Sequence, residues 1–217
     1  MALGPAGAAA SVTALRPMPD AHFAHPRLAA VYDPLDPDRS DLDHYLGVTE
    51  ELGATEVLDV ECGTVDDLPP LQVDLVTMTG NVAQVFVTDD AWQAVLEAVR
   101  RSLRSGGHLV FETRRPEDEA WCRWTPAQTR RCGHEPGGGP VTSSVEVTAV
   151  AGPLVTFRTT FRFGADGAVA TSESTLRFRS AGELAASLAA AGFAVREVRD
   201  APDRPGRELV VIARRVA

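Results

Sequence analysis

The sequence predicts an α/β fold in which a reduced parallel sheet is followed by an antiparallel meander. Residues 56–60, 73–78 and 107–113 are short apolar runs with little polar alternation, a pattern typical of strands covered on both faces. An amphipathic helix separates the second run from the third. From about residue 141 the hydrophobic period changes to two. We therefore expect a right-handed parallel crossover first and hairpin-connected strands after it.

Composition favours one soluble domain. The chain has 217 residues, 44% of them hydrophobic, which suffices for a sizeable core. A net charge of -9 without a basic block argues against a nucleic-acid partner, and no segment is long and apolar enough to span a membrane. We expect residues 1–21 to be a disordered tail and 22–217 a single domain with the meander at about 141–178.

The cysteines indicate a cytoplasmic protein without a disulfide framework. Three cysteines, an odd number at irregular spacing, suit a reducing compartment. Cys132 and His134 are near each other, but two such residues followed by a glycine run predict a loop and no metal site.

The first predicted helix follows residue 40. Ser40 or Asp41 serves as its N-cap and Gly53 as its end. Its apolar positions, at near-helical spacing, are Leu42, Tyr45, Leu46 and Leu52.

The second predicted helix starts at Thr88 or Asp89 and stops at Gly106. Arginines are concentrated at its C-terminal end, where they interact favourably with the helix dipole. We expect Trp92 to lie in the core. The apolar residues of its inner face are Trp92, Val95, Leu96, Val99 and Leu103.

The remaining elements complete an insertion and the end of the sheet. Runs of alternating residues within 145–149, 155–163 and 169–178 form the meander, with Asp166 and Gly167 turning the second run into the third. Ser180 and Glu183 form a capping box for a helix that ends at Gly192. Two strands, 193–199 and 208–213, close the chain.

Ligands of open parallel sheets bind outside the carboxyl ends of the strands. Asp59 to Gly63 follow the first strand, Thr79 to Asn81 the second, and Glu112 to Arg115 the third. We expect these three groups to share one rim of the sheet.

These segments resemble motifs of the class I S-adenosylmethionine-dependent methyltransferases. VLDVECGT, at 57–64, is similar to their first glycine-rich motif, and DLVTMTGN, at 74–81, to their fourth strand and its loop. LRSGGHLVFETR resembles their fifth strand, with Ser105 in place of a proline. The last helix and the two closing strands of this chain resemble the C-terminal end of the family. The lead-in VYDPLDPDRSDLDHYL is similar to the segment that closes over the cofactor.

The resemblance implies a Rossmann-like methyltransferase fold, S-adenosylmethionine as cofactor and a small-molecule substrate. It implies a cofactor site formed by Tyr32, Asp59, Cys62, Gly63, Asp66, Thr79, Gly80 and Asn81. Asp66 corresponds either to the acid that faces adenine or to a polar turn residue. Arg114, Trp121 and Trp124 are weaker candidates for substrate contact, with a solvated salt bridge as the alternative for Arg114. No catalytic residue follows, because transfer from an activated methyl group depends mainly on positioning.

The chain departs from the family pattern after the first strand. Glu61 and Val65 occupy glycine positions, and a glutamate there hinders the close backbone approach that glycine permits. Residues 61–72 replace two helices and two strands of the family, and Pro69 and Pro70 predict an extended connection. The interpretation is an internal deletion that exposes the first strand at a sheet edge.

Three functions fit these observations. The first is a methyltransferase acting on a small molecule, impaired or not by the missing part of the cofactor site. The second is a non-catalytic module with the same fold that binds or forms a homodimer through the uncovered edge. The third is a damaged descendant of an enzyme.

Overall fold

The computed structural model describes residues 20–37, 41–60 and 71–216. The predicted tail, with the exception of its last two residues, and the predictions on Cys62, Gly63 and Asp66 lie outside this part of the chain. So do the departures at Glu61 and Val65. The described helices are α1 (Ala21–Ala24), α2 (Pro26–Ala29), α3 (Tyr32–Leu35), α4 (Asp41–Glu51), α5 (Asp89–Ser102) and α6 (Ala181–Ala190).

Two sheets account for the described strands. The first has the order β1-β2-β3-β9-β8, formed by β1 (Val57–Asp59), β2 (Val73–Met78), β3 (Leu103–Arg114), β9 (Glu208–Arg215) and β8 (Phe193–Asp200). The second has the order β4-β5-β6-β7, formed by β4 (Arg131–His134), β5 (Pro140–Ala151), β6 (Leu154–Phe163) and β7 (Val169–Arg177).

The first sheet is parallel at one end and antiparallel at the other. β1 pairs with β2 and β2 with β3 in parallel, whereas β9 runs antiparallel to both β3 and β8. The carboxyl ends of β1, β2 and β3 and the start of β9 consequently meet at one rim, as the sequence predicts.

Helices pack on both faces of this sheet. On one face α5 and α6 bury the side chains of β2, β3 and β9 around Trp92, Phe111 and Leu188. On the other face Tyr45 and Val48 of α4 cover Leu75 and Val110. Alternation along the strands separates the two sets of side chains.

Helix caps follow the predicted chemistry. The Thr88 hydroxyl accepts from the Ala91 backbone N–H at the start of α5, at 3.1 Å. Ser180 and Glu183 form the predicted capping box at the start of α6. The prediction of α5 failed at its end, because α5 stops at Ser102 and Leu103 turns extended to pair with Val73 of β2. Gly106 lies within β3.

The N-terminal helices pack on the meander. Leu28, Val31 and Leu35 bury their side chains against Val141 and Phe161. Helix α3 also approaches β4 closely, because a Cβ at Gly133 would lie 2.5 Å from the Pro34 carbonyl oxygen.

Several local predictions were wrong. β1 is not covered on both faces, because it forms an edge of the described sheet, and Val57 is 45% exposed. Leu42 and Leu46 of α4 point outward, since this helix contacts the sheet through Tyr45 and Val48 instead. Cys132 and His134 belong to a strand, β4, because the backbone there pairs with β5.

Candidate functional site

The rim of the parallel sheet begins at β1 and β2. The Thr77 hydroxyl donates to the Asp59 carboxylate at 2.5 Å, and the Val60 backbone N–H donates to the Thr77 carbonyl at 2.9 Å. Asp59 is exposed, whereas Thr77 is buried. One oxygen of Asp59 is thus fixed by a hydroxyl donor at the end of the strand while the carboxylate remains open to solvent.

The turn after β2 has an unusual backbone. Gly80 and Asn81 both adopt left-handed conformations, with φ of 63° and 62°. Asparagine tolerates this region better than most residues, and glycine enters it without strain. A Cβ on Gly80 would meet nothing within 4 Å, so open space adjoins this turn in the described structure.

The side chain of Asn81 connects this turn to β9. Its Nδ2 donates to Glu208 Oε2 at 3.3 Å, and the residue is only 3% exposed. Asn81 Oδ1, at the other end of the same amide, has no hydrogen-bond partner among the described residues. Thr79 is also buried. Among the described residues, the turn therefore has one hydrogen-bond acceptor at the rim without a donor.

Glu208 is the charged centre of the rim. It faces Arg114 across the β3–β9 ladder, and Arg114 Nε lies 3.6 Å from Glu208 Oε1. Arg204 Nη1 donates to the same oxygen at 2.8 Å. The Glu208 side chain is 3% exposed, so its charge is held by these two guanidinium groups and by Asn81.

Arg114 also reaches two neutral groups. Its Nη1 donates to Gln84 Oε1 at 2.8 Å, and its guanidinium carbon lies 5.6 Å from the centre of the Trp124 ring. Gln84 is 1% exposed, and its Nε2 has no partner among the described residues. Arg115, by contrast, pairs with Asp200 at 3.0 Å.

Glu112 is the second buried carboxyl of the rim. It is 5% exposed and, two residues before Arg114 on β3, points to the same face of the sheet. Burial and repulsion by Glu208 raise the pKa of Glu112, while a hydrogen bond from Tyr45 lowers it in part. The net pKa is above that of an ordinary glutamate.

Aromatic side chains connect the rim to the meander. Trp124 contacts Phe157 of β6 edge-on, with ring centres 5.1 Å apart. Trp121 makes a similar contact with Phe178 at 4.6 Å. The weaker candidates of the sequence, Arg114, Trp121 and Trp124, are thereby brought to one wall between the two sheets.

Tyr32 has a different location from the other candidates. It lies in α3, where its ring centre is 5.4 Å from that of His22 and 5.5 Å from that of Phe23. The structure places it with the N-terminal helices that pack on the meander and groups Asp59, Thr79, Gly80 and Asn81 at the rim.

Sequence reasoning missed the ionic part of the site. Glu208, Arg204 and Gln84 were not candidates, and Glu112 was named only as part of a rim segment. The alternation of side chains along the strand could have identified Glu112. Glu112 and Arg114 share a face with Val110, and their strand ends at the predicted rim.

The described residues lack both a metal-binding cluster and a membrane-spanning helix. They contain no group of three or more His, Cys, Asp or Glu side chains suited to holding a metal ion. The helices in the described ranges include none that is long and apolar enough to cross a membrane.

Several solved structures with a similar fold are methyltransferases. The sugar N-methyltransferase KedS8 from a Streptoalloteichus species matches with a TM-score of 0.64 and 18% identity over 100% of this chain and 99% of its own. An S-adenosylmethionine-dependent methyltransferase from Clostridium acetobutylicum matches at 0.63 and 12%, covering 87% and 98%. The aminopentose methyltransferase CalS10 from Micromonospora echinaspora, solved with S-adenosylmethionine bound, matches at 0.61 and 17%, covering 87% and 96%.

The chain therefore has the Rossmann-like fold of the class I S-adenosylmethionine-dependent methyltransferases. No protein-family model matches its sequence, and no curated protein does.

Proposed function

We propose that the protein is an S-adenosylmethionine-dependent methyltransferase that acts on a small molecule in the cytoplasm. The observation that carries this proposal is the rim itself, where Asp59, the Thr79–Asn81 turn and Arg114 converge at the carboxyl ends of β1, β2 and β3. In a doubly wound sheet this is the edge at which ligands bind. The methyltransferase fold supports the same conclusion.

The described residues fit such a cofactor chemically. S-adenosylmethionine carries an ammonium group and a sulfonium, and the rim has an exposed carboxylate, Asp59, and a buried one, Glu112. In the part of the chain that the structure describes, Asn81 Oδ1 has no donor and can accept a hydrogen bond, and the open space beside Gly80 leaves room for a ligand against the backbone. Cys62, Gly63, Asp66 and Tyr32 remain predicted members of the site.

The bound cofactor would supply a methyl group already activated by the sulfonium. The protein must then bind, orient and exclude water. Trp121 and Trp124 form an apolar wall between the rim and the meander, and Arg114 lies beside Trp124. We assign these three side chains to the acceptor side of the site. The sugar substrates named for KedS8 and CalS10 support a polar small-molecule acceptor.

Thermal unfolding with S-adenosylhomocysteine tests this function. A ligand that binds only the folded state at 100 times its dissociation constant stabilises by about 2.7 kcal/mol, which raises the melting temperature by several degrees. Adenosine and methionine at equal concentration are the comparators. We expect a shift with S-adenosylhomocysteine that neither fragment reproduces, and equal melting temperatures under all conditions would contradict the proposal.

A non-catalytic dimerising module is the second candidate. Its supporting observation is the exposed edge of the described sheet, where β1 is three residues long and Val57 is 45% exposed. An open strand edge can pair with a second copy. Light scattering on the purified protein separates the candidates, since this function requires a dimer that shows no response to S-adenosylhomocysteine.

A further inference from the structure

The segment Arg177–Arg179 leads from the end of β7 to α6 and is anchored by its middle residue. Phe178 is buried, and its ring contacts Trp121 edge-on, with ring centres 4.6 Å apart. The centre of the Trp124 ring lies 6.1 Å from that of Phe178. The two arginines beside Phe178 are therefore held next to the aromatic wall.

Arg179 binds the loop that follows the turn after β2. We refer to this loop, residues 82–88, as the rim loop. Three of its backbone carbonyls accept hydrogen bonds from the Arg179 guanidinium. They are Ala83 O, 3.4 Å from Nη1, and Phe86 O and Thr88 O, 2.6 Å and 3.2 Å from Nη2. One side chain thus binds the rim loop near its start and at its end.

Arg177 supports the same loop from the end of β7. Its Nη1 donates to the Val87 carbonyl at 3.2 Å. The same nitrogen lies 2.9 Å from Asp89 Oδ1, in the first residue of α5. Arg177 therefore adds one contact to the rim loop, whereas Arg179 makes three.

The rim loop is connected to the candidate site through Gln84. The Gln84 backbone N–H donates to the Asn81 carbonyl at 3.0 Å, and Gln84 Oε1 accepts from Arg114 Nη1 at 2.8 Å. Gln84 is 1% exposed, so it has little room to move alone. A displacement of the rim loop would consequently move the turn that contains Asn81 and remove a partner of Arg114.

The burial of Arg179 is unusual for a charged side chain. It is 3% exposed, and the carboxylate paired with it, Asp89, lies 3.9 Å away and is itself 77% exposed. Its guanidinium carbon lies 5.2 Å from the centre of the Trp92 ring. Burial lowers the pKa of Arg179 to about 10, which leaves the group charged at neutral pH. An apolar side chain in such a place is often as stable, so the guanidinium contributes mainly the directed hydrogen bonds that set the path of the loop.

We propose that Arg179 is a positioning residue for methyl transfer, which holds the rim loop, and through it Gln84 and the Asn81 turn, in the conformation that binds the cofactor. This inference rests on the proposed function, because it concerns the same site. Arg179 touches neither ligand and acts through the backbone of the rim loop.

The expected effect follows from the population of the ordered loop. Without the guanidinium, three carbonyls lose their donor and the rim loop adopts several conformations. The cofactor binds the ordered one, so its apparent dissociation constant rises in proportion as that conformation becomes rarer. Stability of the remaining fold is a separate quantity, which the test must hold apart.

The test compares Arg179→Met with Arg158→Met, both in the full chain. Arg158 is an exposed arginine of β6 in the same meander, where it pairs with Glu146 and Glu173. Hydrogen–deuterium exchange of the rim-loop amides and calorimetric titration with S-adenosylhomocysteine are run below the melting temperature of every variant. Should Arg179→Met not fold, Arg179→Lys replaces it, since lysine keeps the charge but lacks the planar fork of donors.

We expect Arg179→Met to speed exchange in residues 82–88 about tenfold and to weaken S-adenosylhomocysteine about tenfold, because a tenfold rarer ordered loop has both effects. Exchange at 109–111, in β3, should not change. Arg179→Lys should weaken binding about threefold, and Arg158→Met should alter neither quantity.

Three results would overturn the inference. They are unchanged rim-loop exchange in Arg179→Met, exchange that rises equally at 109–111, and wild-type affinity despite faster rim-loop exchange. The last two would show that Arg179 serves stability alone. The two proposals remain distinguishable, since a wild type that does not bind S-adenosylhomocysteine refutes the proposed function, whereas binding that Arg179→Met leaves intact refutes only this inference.

Discussion

The side-chain amide of Asn81, in the turn after β2, donates a hydrogen bond to Glu208, the first residue of β9. The distance from Asn81 Nδ2 to Glu208 Oε2 is 3.3 Å. The two residues are distant in sequence, and both are 3% exposed. This bond connects the parallel half of the sheet to its antiparallel half at the rim. The stability of the rim and its chemistry consequently depend on the same side chains.

Replacement of Glu208 by glutamine should destabilise the protein. The change leaves Arg114 and Arg204 without their buried counter-charge, and we expect a loss of about 2–3 kcal/mol, because Arg204 is partly exposed and solvent compensates in part. Urea unfolding measures it. Glu173→Gln, which removes an exposed partner of Arg158, is the control and should change stability by less than about 0.5 kcal/mol. Equal effects of the two changes would contradict the role of Glu208.

Replacement of Glu112 by glutamine should stabilise the protein at alkaline pH. Because the folded pKa of Glu112 is raised, its contribution to stability is fully present below the unfolded pKa and is lost as pH rises through the folded pKa. A glutamine cannot ionise, so the variant should melt above the wild type at about pH 8 and approach it near about pH 4. Melting curves across this range decide the matter, and a difference that does not vary with pH would show that Glu112 does not titrate abnormally.

Two glycine substitutions should have opposite effects on stability. Gly133→Ala places a methyl group 2.5 Å from the Pro34 carbonyl oxygen, and we expect a loss of about 1–3 kcal/mol where α3 meets β4. Gly182→Ala lies in α6 with nothing within 4 Å of the new methyl group and should gain about 0.5 kcal/mol from the reduced entropy of the unfolded chain. Urea unfolding measures the stability of both variants. A Gly133→Ala variant as stable as the wild type would mean that α3 does not approach β4 this closely.

Replacement of Asp59 by alanine should weaken cofactor binding, and its cost in stability should be about 1 kcal/mol, for the hydrogen bond that the buried Thr77 hydroxyl loses. Asp59 is exposed at the rim, where its carboxylate accepts a hydrogen bond from the Thr77 hydroxyl. The substitution therefore removes a carboxylate from the proposed site without creating a cavity in the core. We expect affinity for S-adenosylhomocysteine to fall about tenfold, which corresponds to about 1.4 kcal/mol. Fluorescence titration measures it, with Asp43→Ala on the exposed side of α4 as control. Unchanged affinity in Asp59→Ala would remove Asp59 from the site.

Elements with strong local signals were predictable from the sequence. The capping box at Ser180, the cap at Thr88 and the buried strand β2 depend on neighbouring residues alone, and the structure has all three. The burial of β1 and the contact face of α4 depend on which elements lie beside them. Val57 and Leu46 are apolar, as a core residue would be, yet both are exposed because the described sheet places no further strand or helix against them.

The site was predictable only in part for a similar reason. Asp59, Thr79, Gly80 and Asn81 follow strands, and the rule that ligands bind at strand ends brings them together. The partnership of Glu112, Glu208 and Arg204 arises from the antiparallel pairing of β3 with β9, which no local pattern encodes. Tyr32 depends on how the N-terminal helices pack, and here they pack on the meander.

Isothermal titration calorimetry with S-adenosylmethionine is the most direct measurement of the central claim. The proposed methyltransferase should bind this cofactor with a stoichiometry of one and a dissociation constant below the millimolar range, and Asp59→Ala should weaken that binding. No heat of binding at millimolar S-adenosylmethionine, from a protein shown to be folded, would contradict it.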